Sequence, residues 1–177
     1  MPLVERRYAE AFIDIAAEAE AVDSYRDELK DFVELFKSQP EFKSFLLDPE
    51  IKTESKKIVV RKAFSNNLRP ETINLIMLLL DKGRVKFLPG IYDEFVKLAD
   101  KRGNVLNMTI VSASGLDEAQ LDRIKEKYKS VYNASQVKAD IKVDKTLIGG
   151  VKVKIGDKVI DDTLKGRLES LKGLLVK

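Results

Sequence analysis

The chain of 177 residues contains no cysteine and no histidine. Without cysteine there is neither a disulfide framework nor a thiolate metal site. Without histidine the commonest general base and the commonest transition-metal ligand are both missing. Ser-His-Asp and Cys-His catalysis are therefore excluded within this chain, and only carboxylate- or lysine-based chemistry is left. Long hydrophobic runs are missing too, since no stretch approaches the ~20 apolar residues that cross a bilayer. The opening Met1-Pro2-Leu3-Val4-Glu5 lacks the basic and apolar regions of a signal peptide. The expected compartment is the cytosol, with no direct membrane insertion. A large excess of one charge is also lacking. The net charge of +3 does not mark a nucleic-acid binder.

What is present is a foldable, highly charged chain, 44% hydrophobic and 34% charged. Its length suits one large domain or two small ones, and a domain of ~100 residues buries enough surface to fold without staples. The charge is unevenly spread. Residues 104–177 carry 14 basic and 10 acidic side chains, whereas residues 1–103 carry 18 and 19.

Hydrophobic period divides the chain in the same place. Up to about residue 103 the apolar residues recur at helical spacing. Tyr8, Ala11, Phe12, Ile15, Ala16 and Ala19 predict a first helix. Val22, Tyr25, Leu29, Phe32, Val33 and Phe36 predict a second, and the short turn between the two predicts antiparallel neighbours. Pro40 opens a short third helix through Phe42, Phe45 and Leu46, and Pro49 ends it. A fourth is expected from about Thr53, as N-cap, to Phe64. The fifth is apolar nearly all round, with only Asn74 polar among Ile73, Leu75, Ile76, Met77, Leu78, Leu79 and Leu80. Such a helix is either central in a bundle or covered on one face by a partner. Gly83 closes it, and a sixth carries Phe87, Leu88, Ile91, Phe95 and Leu98.

After Gly103 the period becomes that of strands. Val105–Val111 is a β-branched run with Met108 and Ile110 on one face and Asn107 and Thr109 on the other. Val137, Ala139, Ile141 and Val143 alternate with Lys138, Asp140, Lys142 and Asp144, which predicts one buried and one wet face. Val151, Val153 and Ile155 alternate with Lys152 and Lys154, and Gly156-Asp157 is a two-residue hairpin turn before Lys158-Val159-Ile160. Two helices are expected to cover this sheet. One starts at Asp117, with Gln120 completing a capping box and Leu116 and Leu121 a hydrophobic staple. The other carries Leu164, Leu168, Leu171 and Leu175.

The expected architecture is thus α plus α/β. An N-terminal bundle of six helices (1–103) precedes a small C-terminal α/β domain (104–177) with a short sheet and two helices.

No catalytic, cofactor or metal constellation stands out. Gly149-Gly150 and Gly156-Asp157-Lys158 lie in a strand pattern with no helix after the lysine, so they read as turns rather than as a phosphate loop. Asp161-Asp162 reads as the N-cap region of the last helix rather than as a metal pair. Ser112-Ala113-Ser114 has no base beside it and reads as a loop. Lys138, Lys142, Lys152, Lys154 and Lys158 form a candidate basic sheet face, but no aromatic residue sits among them to stack bases. A solvated face is the plainer reading, and an acidic protein partner would use the same charges. The alanine-rich stripe of the first helix leaves room for another helix to approach. The fifth helix is a candidate second wall of a groove that takes an amphipathic helix.

Several segments together resemble a known family. They are Arg7-Tyr8-Ala9-Glu10-Ala11-Phe12, Phe45-Leu46-Leu47-Asp48-Pro49-Glu50-Ile51, Asp81-Lys82-Gly83-Arg84 with Leu88-Pro89, and Ser112-Ala113 leading to Leu116. The most specific are Asp144-Lys145-Thr146-Leu147-Ile148-Gly149-Gly150, Ile155-Gly156-Asp157-Lys158-Val159-Ile160-Asp161 and Gly166-Arg167-Leu168. In order, and over essentially the whole chain, they resemble the delta subunits of bacterial F-type ATP synthases, relatives of the mitochondrial oligomycin-sensitivity-conferring protein. One departure is Asp161-Asp162-Thr163, where that family usually has Asp-Gly-Ser.

The resemblance implies a stator connector without cofactor or catalytic residue. Its N-terminal six-helix bundle would grip N-terminal helices of the alpha subunits in a groove between the first and fifth helices. By that analogy the groove residues are Tyr8, Ala11, Phe12 and Ile15, with Leu75, Leu78 and Leu79 opposite. The C-terminal domain would hold the b-type subunits of the peripheral stalk. The chain would be a monomer when isolated and would occur once per complex. It would be held peripherally at the cytoplasmic face of the bacterial cell membrane, coupling proton or sodium flow to ATP synthesis. Two other classes compete with this reading: an RNA- or ribosome-binding protein using the lysine face, and a small carboxylate- or lysine-dependent enzyme.

Overall fold

The computed structural model describes residues 2–166 and Leu168. The described chain begins with α1 (Pro2–Glu18), α2 (Val22–Ser38), α3 (Pro40–Leu47), α4 (Thr53–Phe64) and α5 (Pro70–Asp81). A 3-10 turn (Val85–Phe87) leads into α6 (Leu88–Arg102). There follow β1 (Val105–Ser112), α7 (Glu118–Tyr132), β2 (Gln136–Val143), β3 (Val151–Ile155) and β4 (Lys158–Asp161). Packing separates two compact units, Met1–Ala99 and Asp100–Lys177.

In the first unit, prolines set the helix starts. Pro40 and Pro70 each occupy the first turn of their helix, where the missing N–H would have had no partner. α4 begins at Thr53 with Lys52 in the N-cap position and no side-chain cap bond. Thr53 is therefore already inside the helix, which corrects the expectation that it caps it. The first turn is tied down by Lys56 instead, whose buried ammonium donates to the Asp48 carbonyl at 2.6 Å. The N-terminus of α5 is capped from another helix. Glu28 of α2 accepts from the Arg69 amide at 3.1 Å and from the Thr72 hydroxyl. A carboxylate there meets both free N–H groups and the positive end of the helix.

The core of this unit is aromatic and aliphatic. Phe12 meets Tyr25 edge-on at 5.4 Å between ring centroids and Phe95 at 5.5 Å, and Phe32 packs on Phe64 at 5.0 Å. Leu29, Ile76, Leu79, Leu88 and Ile91 fill the space around them. Each such side chain contributes about 1.5–3 kcal/mol on burial.

In the second unit the strand order is β2-β1-β3-β4. β1 and β2 are parallel, and β3 pairs antiparallel with both β1 and β4. Parallel neighbours need a crossover, and α7 supplies it. Asp117 and Gln120 form the complete capping box, at 2.7 Å and 3.2 Å. Asn133 ends α7 in the left-handed conformation at φ 50°. The inner face of the sheet carries Met108, Ile110, Val153 and Ile155, packed with Tyr128, Leu121 and Ile124 of α7.

Two inner-face expectations are corrected. Ile141 and Val143 point to the predicted face but are exposed, because the core cluster reaches only Val137 and Ala139 on the edge strand β2. Leu164 and Leu168 are helical and likewise exposed, Leu168 by 58%. The expected Leu171 and Leu175 lie outside the described residues.

Candidate partner-binding surface

α1 is apolar over much of its circumference, so helical spacing alone allows two overlapping stripes. The structure buries Ala9, Phe12, Ile13 and Ala16. The predicted stripe of Tyr8, Ala11, Phe12, Ile15, Ala16 and Ala19 is therefore rotated from the true core face. Ala9 and Ile13 were missed because Phe12 fits both stripes. Tyr8 is half-buried against the core, Ala11 is exposed, and Ile15 is 41% exposed. With Val4, these residues follow the i, i+4, i+7, i+11 spacing of one shoulder of the helix. Phe12 is only 2% exposed and belongs to the core.

α5 divides in the same manner. Leu75 and Leu79 are buried, and Leu78 is 44% exposed beside the exposed Asn74. The helix is thus buried on most sides rather than all, with Leu78 as its open apolar position.

The Asp81-Lys82-Gly83-Arg84 segment orients this end of α5. Gly83 adopts φ +61°. The Gly83 amide donates to the Leu80 carbonyl at 3.1 Å, and the Arg84 amide donates to the Leu79 carbonyl at 2.7 Å. This is the paired bonding of a Schellman stop. Asp81 pairs with Lys57 of α4 at 2.6 Å. Arg84, thrown clear of the helix, donates from Nη1 to the Tyr8 hydroxyl at 3.0 Å, with its guanidinium 5.8 Å from the ring centroid. The C-terminal end of α5 is thereby held beside the first half of α1. Sequence reasoning did not single out Arg84 as a contributor, although it stands in a motif that had been noticed.

The C-terminal signature is structural. Asp144 Oδ1 accepts from both the amide and the hydroxyl of Thr146, at 2.9 and 2.6 Å. Asp161 Oδ1 does the same for Thr163, at 3.0 and 2.6 Å. These bonds from the threonines hold both carboxyls below the usual carboxylate range. Thr163 Oγ1 in turn accepts from the Gly166 amide at 3.1 Å, so Thr163 caps the last helical segment and Asp161 orients the cap. Among non-glycine described residues, positive φ occurs at Glu20, Asn104 and Asn133. Asp162 therefore sits in ordinary backbone where the related pattern has glycine. Gly150 has φ +84°, and a Cβ there would lie 2.5 Å from the Asp162 carbonyl oxygen.

The outer face of the sheet carries Lys138, Lys142, Lys152 and Lys154 around a trough of ≈ 720 Å³. Lys158 does not join them. The two-residue turn pairs it with Ile155, and direct cross-strand partners share a face.

The family described as ATP synthase delta (OSCP) subunit matches residues 4–175. The chain is 50% identical over 177 residues to ATP synthase subunit delta of Acetivibrio thermocellus, covering 100% of this chain and 99% of that one. It is 43% identical over 171 residues to the same-named protein of Ruminiclostridium cellulolyticum, covering 97% of each. Its fold resembles a chain of the Toxoplasma gondii mitochondrial ATP synthase hexamer, at a TM-score of 0.69 and 21% identity over 98% of this chain and 97% of that one. No helix among the described residues is long and apolar enough to cross a membrane. The chain belongs to the ATP synthase delta (OSCP) subunit family, the non-catalytic peripheral-stalk subunits of F-type ATP synthases.

Proposed function

We propose that the six α-helices of residues 1–103 act as one bundle that grips an N-terminal helix of an alpha subunit of the catalytic head. On this reading residues 104–177 hold the b-type subunits of the stalk. One copy per complex, monomeric when free, joins the two at the cytoplasmic face of the bacterial membrane and stops the head from turning with the rotor. The observation that carries the reading is the apolar shoulder of α1, where Ala11 and Ile15 stay open and Tyr8 is half-buried beside a fixed end of α5. An amphipathic helix laid there would cover Ile15 and Leu78. Phe12, Leu75 and Leu79 support that wall from beneath and do not touch the partner.

The role is mechanical. A joint under torque needs slow dissociation and more than one attachment, and a second tethered contact raises avidity by local concentration. Calorimetric titration of a peptide from the N-terminal segment of the same organism's alpha subunit tests the reading. Submicromolar binding by the full chain supports it. Absence of binding to a well-folded chain sinks it.

A further inference from the structure

We propose that Arg84 is a specificity-determining residue of the wall formed by α1 and α5: its guanidinium receives a carboxylate from the partner helix and so fixes the register of that helix. The inference rests on the reading above, that a helix of the alpha subunit lies along α1. The backbone of Arg84 is held on both sides. Its amide donates to the Leu79 carbonyl at 2.7 Å, and its carbonyl accepts from the Phe87 amide at 3.0 Å. The residue is exposed, and of its five N–H donors one is spent on the Tyr8 hydroxyl at 3.0 Å. Its contacts among the described residues are that hydroxyl and the Tyr8 ring, neither of them an anion. The charge is therefore not neutralised, and exposed Lys82 and Lys86 on either side add to it.

Elsewhere in the same unit the arrangement is complete. Arg69 lies over the Tyr25 ring at 4.8 Å, much as Arg84 lies over Tyr8 at 5.8 Å. Arg69 also pairs with Glu28 at 3.2 Å. Arg84 has the ring and lacks the carboxylate. The acidic residues beside it in the chain are turned elsewhere. Asp81, three residues before Arg84, pairs with Lys57 of α4 at 2.6 Å. Glu5, one turn before Tyr8 on α1, lies against α6, where a Cβ added to Gly90 would sit 2.5 Å from its Oε1. The missing anion then comes from outside the chain. A guanidinium takes a carboxylate through two parallel N–H groups, and Tyr8 holds this one in place beforehand, which lowers the cost of ordering it. Tyr8 and Ile15 are seven residues apart, ~10.5 Å along α1 at ~1.5 Å per residue. A helix lying along α1 thus meets Arg84 two turns away from the residue that covers Ile15. The recognised Asp or Glu belongs at that spacing, on the edge of the partner's apolar stripe. A helix slipped by one turn would set apolar surface against the guanidinium, at a desolvation cost.

The test is a cycle of calorimetric titrations on the full chain. The parent chain and Arg84→Gln are each titrated with the N-terminal peptide of the same organism's alpha subunit. Both are then titrated with that peptide after its acidic residue at the two-turn spacing is changed to the amide. Arg84→Gln should weaken the native peptide about 5-fold or more, with a larger loss at low salt, and should barely affect the amide peptide. Arg84→Lys keeps the charge without the fork and should recover only part of the loss. The control Arg123→Gln, exposed on α7, should bind like the parent chain. If Arg84→Gln weakens both peptides equally, Arg84 acts only by holding α5 to α1, and the recognition role is overturned. If it binds the native peptide as the parent chain does, the inference falls and the reading of the wall stands. An alpha segment with no carboxylate two turns from its apolar anchor overturns the inference as well. A parent chain that binds neither peptide removes the reading itself, and the inference with it.

Discussion

Ala11 and Phe12 are neighbours in sequence, and substituting each in turn separates surface from core. Phe12→Ala removes a ring that is 2% exposed and packed on Tyr25 and Phe95. Emptying such a site costs about 3–5 kcal/mol, and in a domain of ~100 residues each kcal/mol lowers Tm by ~4–8 °C. The first unit should therefore melt at least ~12 °C lower. Ala11→Asp touches no buried neighbour, because Ala11 is exposed. It gives up about 0.5–0.7 kcal/mol of helix propensity, a Tm loss of roughly 2–6 °C. Its effect should appear in binding. A carboxylate trapped against an apolar helix loses about 1–3 kcal/mol of hydration or more, which weakens the alpha peptide at least ~5-fold. Thermal melting by circular dichroism and calorimetric titration of the peptide measure the two effects on the same samples. The reasoning is refuted if Ala11→Asp binds the peptide as tightly as the parent chain. It is equally refuted if Ala11→Asp lowers Tm as far as Phe12→Ala does.

Three further outcomes follow from the second unit. Gly150→Ala combines a left-handed backbone with a Cβ 2.5 Å from the Asp162 carbonyl oxygen. It should lower that unit's unfolding free energy, measured by denaturant titration, by more than the ~1–2 kcal/mol that the backbone conformation alone costs. Asp117→Ala removes the acceptor for the Gln120 amide and should cost about 1 kcal/mol, read as faster amide exchange in the first turn of α7. Asp144 and Asp161 have folded pKa values below the ordinary 3.8. Their stabilisation is complete above the ordinary carboxylate range and is lost as pH falls through the depressed values. Carboxyl NMR titration should find both midpoints under 3.8, and the pair Asp144→Asn/Asp161→Asn should flatten the acid limb of the stability curve.

The helices of the first unit were legible because their signals are local. Pro40 opens α3 from its first turn, and Gly83 closes α5 by its positive φ. Gly156-Asp157 bounds a two-residue hairpin, and Asp117 with Gln120 announces α7. The same hairpin assigns Lys158 to the inner side through its pairing with Ile155. Grouping all five lysines by composition had passed over that register. The family segments gave the functional direction, and two of them turned out to be fasteners. Asp81-Lys82-Gly83-Arg84 joins α5 to α4 and α1, while the Gly150 and Thr163 turns clasp the end of the sheet.

By itself, then, the amino-acid order determined which segments are helix and which are strand, where the period changes, and which turns demand glycine. These depend on interactions a few residues long. Only the tertiary structure decided which side of a helix apolar over much of its circumference is core, since that depends on neighbours distant in the chain. Phe12 is buried because Tyr25 and Phe95 stand against it, and Ala11 and Ile15 are open for want of such neighbours. Tyr8 meets Arg84 from 76 residues away, and Glu28 caps a helix that starts 42 positions later. Ile141 alternates as a buried strand residue should, yet it lies beyond the reach of the core on an edge strand. Periodicity reports that a side chain is apolar and which way it points. What lies opposite is a property of the fold.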